Sequence, residues 1–324
     1  MSDGRHSAMP GQGCPKCDDG AYYRIGTKGQ AWGAAERSMW LNQTRRKRSY
    51  HDEVLSKLDA LGEGLVVHDY GSLSTAPERY PLKAVTTADW DGNKPCVLVT
   101  GGVHGYETSG VQGALLFLHT RLAEYRDSFN ICVAPCVSPF GYEHVERWNA
   151  HCSDPNRSFK ACGTTEESSQ LLAFLETLDA PAGWVLHLDL HETTDTDESE
   201  FMPARAAEKG EQYTPCEIPD GFYCVGDSRN PQLAFHRAII DAVRVETHIA
   251  PAVDGVIIDE PVVQEGLIVV PAAELGLCCS LTKAPFVTTT EVYPDSPKTT
   301  PDACNRAQRA AVCGALDYVL AHAA

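Results

Sequence analysis

Two kinds of hydrophobic pattern alternate along most of the chain. Short continuous apolar runs predict buried strands, whereas longer segments with apolar residues every three or four positions predict helices. The runs predicted to be strands are 64–71, 80–87, 95–102, 129–137, 183–191 and 286–294. The segments predicted to be helices are 49–61, 109–125, 166–178, 231–246 and 303–322. The sequence DGNK at 91–94 predicts a hairpin turn between the second and third strands. The alternation is typical of an α/β fold with a mostly parallel sheet covered by helices on both faces.

This pattern begins only at residue 49. Residues 1–48 are rich in Gly, Ser and polar side chains, with Trp32 and Trp40 as their large apolar anchors. We therefore expect an N-terminal arm with little regular structure over 1–48 and one catalytic domain over 49–324, which is long enough for a single large core. The arm ends in the basic run RRKR, which we interpret as a solvated face rather than as a targeting or binding patch.

Composition narrows the classes of function. The formal net charge of −17 argues against nucleic acid and anionic membranes as partners. No run of about 18 apolar residues predicts a transmembrane helix, and the N-terminus has no apolar segment of a secretory signal. The 13 cysteines are an odd number and favour reduced thiols, so we expect a cytoplasmic location, with export by a route that leaves no signal still open. The lone C-x-x-C at 14–17 is a weak zinc motif.

A histidine and an acid follow the third predicted strand. The sequence GGVHGYE places His104 and Glu107 three residues apart, between that strand and the next helix. In an α/β sheet, ligand-binding residues collect at the carboxyl ends of strands. The pair is either part of an ordinary turn or half of a metal site.

A second histidine lies at the end of another buried strand, in LHLDLHE. His187, Asp189 and His191 share one face of that strand because side chains alternate. Four residues of strand span about 13 Å, so His187 and His191 cannot bind one ion together. His191 is the better ligand, His187 is interpreted as a core residue, and Asp189 or Glu192 could orient a ligand. Two histidines and one glutamate are the set that zinc uses in hydrolases.

Other polar residues could complete such a site. Glu291 stands alone in the strand FVTTTEVYP, either as an edge residue or as a base for metal-activated water. Arg147, Asn156 and Arg157 are either surface residues or the groups that hold a carboxylate and an oxyanion.

The order of four motifs resembles the zinc carboxypeptidases of the carboxypeptidase A/B type. The motifs are GGVHGYE, SPFGYEHVERWN with DPNRSF, DLHET, and TTTEVYP, and the resemblance spans roughly residues 49–320. It implies a mixed, mostly parallel eight-stranded sheet between helices. It also implies that one Zn²⁺ ion is bound by His104, Glu107 and His191.

The same resemblance implies the chemistry. Asn156 and Arg157 would bind the terminal carboxylate of a peptide, Arg147 would polarise the scissile carbonyl, and Glu291 would act as general base and then acid. The expected function is thus a metallocarboxypeptidase, whose substrate carries a free carboxylate. Two acidic features, DTDESE at 195–200 and Glu274, are candidates for selecting a C-terminal Lys or Arg.

Two departures keep an alternative open. Many zinc carboxypeptidases carry a mobile tyrosine about twenty residues before the base, but no tyrosine lies between Tyr223 and Tyr293. GGVHGYETSGV and TEVYP also resemble the aspartoacylase and succinylglutamate desuccinylase branch. The alternative function is therefore a zinc-dependent deacylase of N-acyl amino acids. A metal-free module that binds carboxylate termini is a further rival, which retention of all three ligands and Glu291 disfavours.

Overall fold

The structure is a computed structural model that describes residues 22–160 and 163–322. The C-x-x-C pair at 14–17 lies outside the described residues. Within the described ranges, no helix combines the length and the apolar character needed to cross a membrane.

The fold is built on one mixed sheet. Its strands are β1 (Leu65–Ser72), β2 (Pro81–Thr87), β3 (Cys96–Gly101), β4 (Asn130–Ala134), β5 (Trp184–Glu192), β6 (Tyr223–Asp227), β7 (Val256–Ile257), β8 (Glu260–Gln264), β9 (Leu267–Val270) and β10 (Phe286–Val292). They are ordered β1-β2-β4-β3-β5-β10-β6-β9-β8-β7. The four central strands β4, β3, β5 and β10 are parallel to one another, as is the β6–β9 pair. The other five pairings are antiparallel.

Helices cover both faces of this sheet. They are α1 (Ala34–Gln43), α2 (Ser56–Asp59), α3 (Thr108–Thr120), α4 (Pro139–His144), α5 (Glu166–Thr177), α6 (Met202–Lys209), α7 (Leu233–Val243), α8 (Ala272–Leu275) and α9 (Pro301–His322). A π-helical turn precedes α2 (His51–Leu55) and another precedes α6 (Asp197–Phe201). Short 3₁₀ turns are Leu122–Glu124, Pro155–Arg157 and Cys278–Ser280.

Alternation along the central strands creates two cores. Val97 and Val99 of β3 point into the larger core, which α3, α7 and α9 also line. Leu98, between them, points into a smaller core with Leu171 and Phe174 of α5. The central strands are therefore buried on both faces, which explains why their sequences are continuously apolar rather than alternating.

The structure confirms the mixed α/β class and corrects two details. The described sheet has ten strands, not the eight that the resemblance implied. The extra strands include β7 and β8, of which β7 has only two residues, too few to give an apolar run. The hairpin predicted at 91–94 is wrong, because β2 pairs with β4 and not with β3. β3 is completely buried and lies inside the sheet, and β4 occupies the position between β2 and β3.

The arm contains more regular structure than the sequence indicated. Helix α1 occupies ten residues of it, and Trp32 and Trp40 pack with Trp148 in an aromatic cluster. The ring centroids of Trp32 and Trp40 lie 5.7 and 5.4 Å from that of Trp148. The tryptophans thus anchor the described part of the arm, and α1, which contains Trp40, was missed because its other residues are mostly polar.

Candidate metal centre and active site

Two adjacent parallel strands bring the proposed metal ligands together. β3 ends at Gly101, and the turn after it carries His104 and Glu107 to the start of α3. β5 pairs with β3, with Leu190 opposite Gly101, so that His191 follows at the same edge. Because the carboxyl ends of parallel strands share one edge of the sheet, residues distant in sequence become neighbours there.

His104, Glu107 and His191 form a compact buried cluster. One donor atom from each lies within 4.8 Å of the other two, and all three residues are at most 2% exposed. Oε1 of Glu107 is 2.7 Å from Nδ1 of His104, and Oε2 is 2.6 Å from Nδ1 of His191. The second contact lacks hydrogen-bond geometry, so Oε2 is a buried oxygen without a hydrogen-bond partner in the described structure. Two imidazole nitrogens and a carboxylate that converge in this way fit one divalent ion, and this donor set is typical of zinc.

The charges around the cluster favour a cation. Burial alone would raise the pKa of Glu107, but the imidazoles of His191 and His104 outweigh it and lower this pKa to about 2. Burial also lowers the pKa of His191, but the carboxylates of Asp189 and Glu107 outweigh it and raise this pKa well above its usual range. The protein therefore stabilises positive charge between these side chains, which is the charge that a bound metal ion supplies.

Carboxylates behind the cluster orient both imidazoles. Oδ1 of Asp154 is 2.9 Å from Nε2 of His104, and Oδ2 of Asp189 is 2.7 Å from Nε2 of His191. A histidine bound to a carboxylate through Nε2 presents Nδ1 to the metal. The sequence offered Asp189 or Glu192 as the residue that orients a ligand, and Asp189 is the one that contacts His191. Asp154 was missed, although it opens the DPNR motif and its place there was a usable signal.

Glu192 has a different place, and His187 lies in the core. The Glu192 carboxylate accepts hydrogen bonds from the backbone N–H groups of Thr108 (3.0 Å) and Ser109 (2.7 Å), which holds the start of α3. Burial raises the pKa of Glu192 to about 7. His187 is fully buried, with Nε2 3.0 Å from the hydroxyl of Thr100, and burial lowers its pKa to about 4.

Glu291 lies beside the cluster. β10 is parallel to β5, and Glu291 is opposite His191 in register. Thr193 donates a hydrogen bond of 3.0 Å to Oε2 of Glu291, and the Tyr223 hydroxyl lies 2.7 Å from the same Thr193 oxygen. Burial raises the pKa of Glu291 to about 8, Glu107 adds to this and His191 opposes it. A carboxyl group with such a raised pKa is suited to accept and return a proton.

Arg147 is fixed in the same pocket by a set of oxygen atoms. Its Nε atom donates to Oδ2 of Asp154 at 3.2 Å, and its Nη1 atom is 3.3 Å from the Tyr106 hydroxyl and 3.4 Å from Oδ1 of Asp197. The Tyr106 hydroxyl in turn donates to Asp197 at 2.7 Å. Asp154 therefore joins the imidazole of His104 to the guanidinium of Arg147, so the metal cluster and this arginine share one rigid network.

Asn156 and Arg157 line the pocket next to the cluster. The side-chain oxygen of Asn156 accepts a hydrogen bond from the backbone N–H of Cys278 at 2.8 Å, which fixes its amide. Nη1 of Arg157 donates to the backbone oxygen of Asn156 at 2.8 Å, which leaves its other donors for a ligand. All seven side chains singled out in the sequence thus lie in or around one pocket.

The cavity that joins these residues has a volume of about 320 Å³. Part of its wall is apolar and is formed by Val225, Ile258, Ile268, Val270, Leu275 and Leu277. Arg205 and Glu260 also line the cavity and are exposed. Among the described residues Arg205 forms no hydrogen bond or ion pair. Neither residue carried a sequence signal, because neither stands in a recognisable motif.

The acidic features considered for a basic substrate do not form a common negative pocket. Glu274 pairs with Arg229 on the surface at 2.7 Å, and its side chain is 61% exposed. Asp197, from the 195–200 segment, lies in the pocket but is already bound by Tyr106 and Arg147. The tyrosines that line the described cavity are Tyr106 and Tyr223. Hydrogen bonds hold both of their hydroxyl groups, so neither resembles the mobile tyrosine of many zinc carboxypeptidases.

One segment of the chain matches a known family. Residues 93–218 match the succinylglutamate desuccinylase/aspartoacylase catalytic domain. The matched segment contains His104, Glu107 and His191, and it ends before Glu291. It covers less than half of the chain. No curated protein matches the sequence.

Solved structures share the fold at low sequence identity. A candidate metallopeptidase from Shewanella amazonensis has a TM-score of 0.62 and 22% identity, and the match covers 85% of this chain and 98% of the other. A metallo-carboxypeptidase from Burkholderia cenocepacia has a TM-score of 0.57 and 14% identity over 84% of this chain and 69% of the other. The chain therefore has the zinc carboxypeptidase-like fold, with the likeness to the succinylglutamate desuccinylase and aspartoacylase branch that its motifs predicted.

Proposed function

We propose that this protein is a zinc-dependent hydrolase that cleaves an amide bond next to a free carboxylate, and that it acts as a metallocarboxypeptidase on the C-terminal bond of peptides. The observation that carries the proposal is the convergence of His104, Glu107 and His191 beside Glu291. The arginines of the same cavity supply the charges that a carboxylate substrate needs.

His104, Glu107 and His191 would hold the ion. When bound there, zinc supplies a Lewis acid and a water molecule of lowered pKa. Glu291 removes a proton from the attacking water and later delivers it to the nitrogen of the leaving amine. The hydrogen bond from Thr193 keeps the Glu291 carboxylate in one orientation while it does so.

The remaining polar groups bind the substrate. Arg147 stabilises the negative charge that develops on the carbonyl oxygen, and its contacts with Asp154 and Asp197 hold it in place before the reaction. Arg157 and Asn156 bind the carboxylate of the substrate, so that the scissile carbonyl is held near Glu291. The apolar wall of the cavity accommodates the side chain of the leaving residue.

The decisive variant is Glu291→Gln, which keeps the size of the side chain but removes the proton acceptor. We expect zinc content to stay at the wild-type level and kcat to fall by about 10²-fold or more. Glu274→Gln, on the exposed surface, is the matched control and should retain wild-type kcat. Near-normal turnover by Glu291→Gln would contradict the proposed role.

The leaving residue can be identified by a side-by-side assay. Peptides that end in Lys, Phe and Glu should be compared at equal concentration. Because Arg205 lines the cavity without a hydrogen-bond or ion-pair partner among the described residues, and Glu274 is bound elsewhere, we expect C-terminal Lys to be the poorest of the three. Arg205→Met should reduce kcat/KM for the Glu peptide more than for the Phe peptide. Fastest cleavage of the Lys peptide would contradict this assignment.

A second candidate function is the deacylation of N-acyl amino acids, which the family match over 93–218 favours. The same ligands, base and carboxylate-binding residues serve this reaction, because it also hydrolyses an amide next to a carboxylate. Incubation with N-acetylaspartate and N-succinylglutamate beside the peptides distinguishes the two. Release of aspartate or glutamate without peptide trimming would select the deacylase.

A further inference from the structure

The last residue of the basic run, Arg48, lies against the turn that carries two of the metal ligands. Its Nη2 atom donates to the backbone oxygen of Gly105 at 2.5 Å, and its Nη1 atom donates to the Thr108 hydroxyl at 2.7 Å. These acceptors stand on either side of Tyr106 and Glu107. Arg48 therefore holds the ligand turn from outside, at both of its ends.

The same guanidinium also binds α4. Its Nε atom donates to the backbone oxygen of Tyr142 at 2.6 Å, and the guanidinium carbon lies 3.5 Å from the centre of the Tyr142 ring. The ligand turn and α4 touch at Gly105, where an added Cβ would lie only 1.8 Å from the backbone carbon of Gly141. Arg48 thus bridges the junction at which the ligand turn rests on α4.

The backbone that carries Arg48 is fixed as well. The N–H groups of Lys47 and Arg48 both donate to the backbone oxygen of Glu143, at 2.8 and 3.2 Å. The described part of the arm (residues 22–48) is further anchored by the tryptophan cluster with Trp148, next to Arg147. The guanidinium is therefore presented from a rigid support, which is what a side chain needs in order to hold another element in place.

We propose that Arg48 is a positioning residue of the metal centre, and that the arm braces the His104–Glu107 turn through it. The inference rests on the metal site of the proposed function. Arg48 does not touch the ion or the substrate, and it acts by keeping His104 and Glu107 in the arrangement that faces His191. Loss of a group that hydrogen-bonds a metal ligand directly weakens metal binding by roughly 10- to 100-fold, and Arg48, which bonds to the residues beside the ligands, should have an effect at the lower end of this range.

The chemistry of arginine explains why this residue type is needed. Three separate acceptors around one plane match the fork of a guanidinium, which offers five N–H groups in fixed directions. A lysine ammonium can reach only part of this set and cannot stack flat on the Tyr142 ring. The effect of Arg48→Lys should therefore lie between the wild type and Arg48→Met.

The test is the zinc affinity of the full-length metal-free protein, measured by competition with a chelator, together with the melting temperature of the metal-free form. We expect zinc affinity to fall roughly 10-fold in Arg48→Met and less in Arg48→Lys. Arg45→Met is the matched control, because the hydrogen bonds of the Arg45 side chain to described residues go to the backbone oxygens of Asn42 and Thr44, both within the arm. Its zinc affinity should equal that of the wild type.

The possible results distinguish a failure of the Arg48 proposal from a failure of the proposed function. A folded Arg48→Met variant with wild-type zinc affinity and only a lower melting temperature would show a purely structural role and overturn the inference. If Arg48→Met does not fold, the affinity of Arg48→Lys decides in its place. A wild-type protein that binds no zinc would overturn the metal site itself, and the proposed function with it.

Discussion

Single side chains in this protein have pKa values set by what surrounds them, and two of these values have measurable consequences. Burial raises the pKa of Glu291, while the hydrogen bond from Thr193 stabilises its ionised form. His236 is fully buried on α7, where Nδ1 lies 2.8 Å from the backbone oxygen of Gln232. Its Nε2 has no partner among the described residues, and burial lowers its pKa to about 4. One residue bears on turnover and the other on stability.

Thr193→Val should shift the pH dependence of hydrolysis. The base works in its ionised form, so kcat/KM rises with pH through the pKa of Glu291. Loss of the Thr193 hydrogen bond removes a group that lowers this pKa, so the acid limb should move to higher pH. The measurement is kcat/KM against pH for wild type and variant, with Glu274→Gln as control. A limb that stays in place or moves to lower pH would contradict the role of Thr193.

His236 should make stability fall in mild acid. An unfolded histidine has a pKa near 6.5, and the folded value is lower, so the unfolded chain binds more protons between about pH 6.5 and 4. Stability from this group is complete above that window and decreases as the pH falls through it, by about 2 kcal/mol between pH 7 and 5. His236→Asn keeps a donor for the Gln232 carbonyl but does not titrate.

Urea unfolding at both pH values provides the measurement. The wild type should lose more stability than His236→Asn over this interval, because the contribution of His187 is common to both proteins. Equal losses would mean that His236 is not held neutral in the folded state.

At the scale of secondary structure, the site depends on how elements begin and end. β3 and β5 deliver their ligands at the carboxyl edge, and Glu192 fixes the first turn of α3 by accepting two backbone N–H groups. An acid at a helix N-terminus is favoured both by these hydrogen bonds and by the helix dipole. Because α3 starts directly after Glu107, the same contact limits the movement of that ligand.

Glu192→Gln should lower the free energy of unfolding by about 1–3 kcal/mol. Glutamine offers one acceptor where the helix presents two donors, and its amide group would face a backbone N–H. Denaturant unfolding of the metal-free protein measures the effect without a contribution from zinc. A variant as stable as the wild type would contradict the capping role of Glu192.

Elements with strong periodicity could be predicted from the sequence, and short ones could not. The helices at 109–125 and 303–322 correspond to α3 and α9, because each carries a long apolar stripe. β6 to β9 were missed, since strands of two to five residues are too short to give a clear apolar run. The hairpin at 91–94 was wrong because turn residues report a local reversal but not which strand pairs next.

The same limit applies to the site. His104, Glu107 and His191 could be proposed as ligands because each stands in a motif at a strand end, and the structure brings them together. Arg205 and Thr193 could not be assigned a role, since their position in the cavity depends on how α6 and the loop after β5 fold back over the sheet. A sequence motif identifies residues that act through their type and spacing, but not residues that act through tertiary placement.

In the whole molecule, distant parts of the chain come together around one buried centre. β3, β5 and β10 lead to the proposed ligands and the proposed base, Arg147 and Arg157 come from the segment after α4, and the arm reaches the His104–Glu107 turn through Arg48. An ion that binds only the folded chain stabilises all of these parts together, by about 2.7 kcal/mol at a zinc concentration 100 times the dissociation constant.

The most direct test of the account is the location of the metal in crystals of the full-length protein, by anomalous scattering at the zinc absorption edge. We expect one strong peak, in contact with Nδ1 of His104, Nδ1 of His191 and the carboxylate of Glu107. A zinc-loaded crystal with no peak at this position, or with its peak elsewhere in the protein, would contradict the central claim.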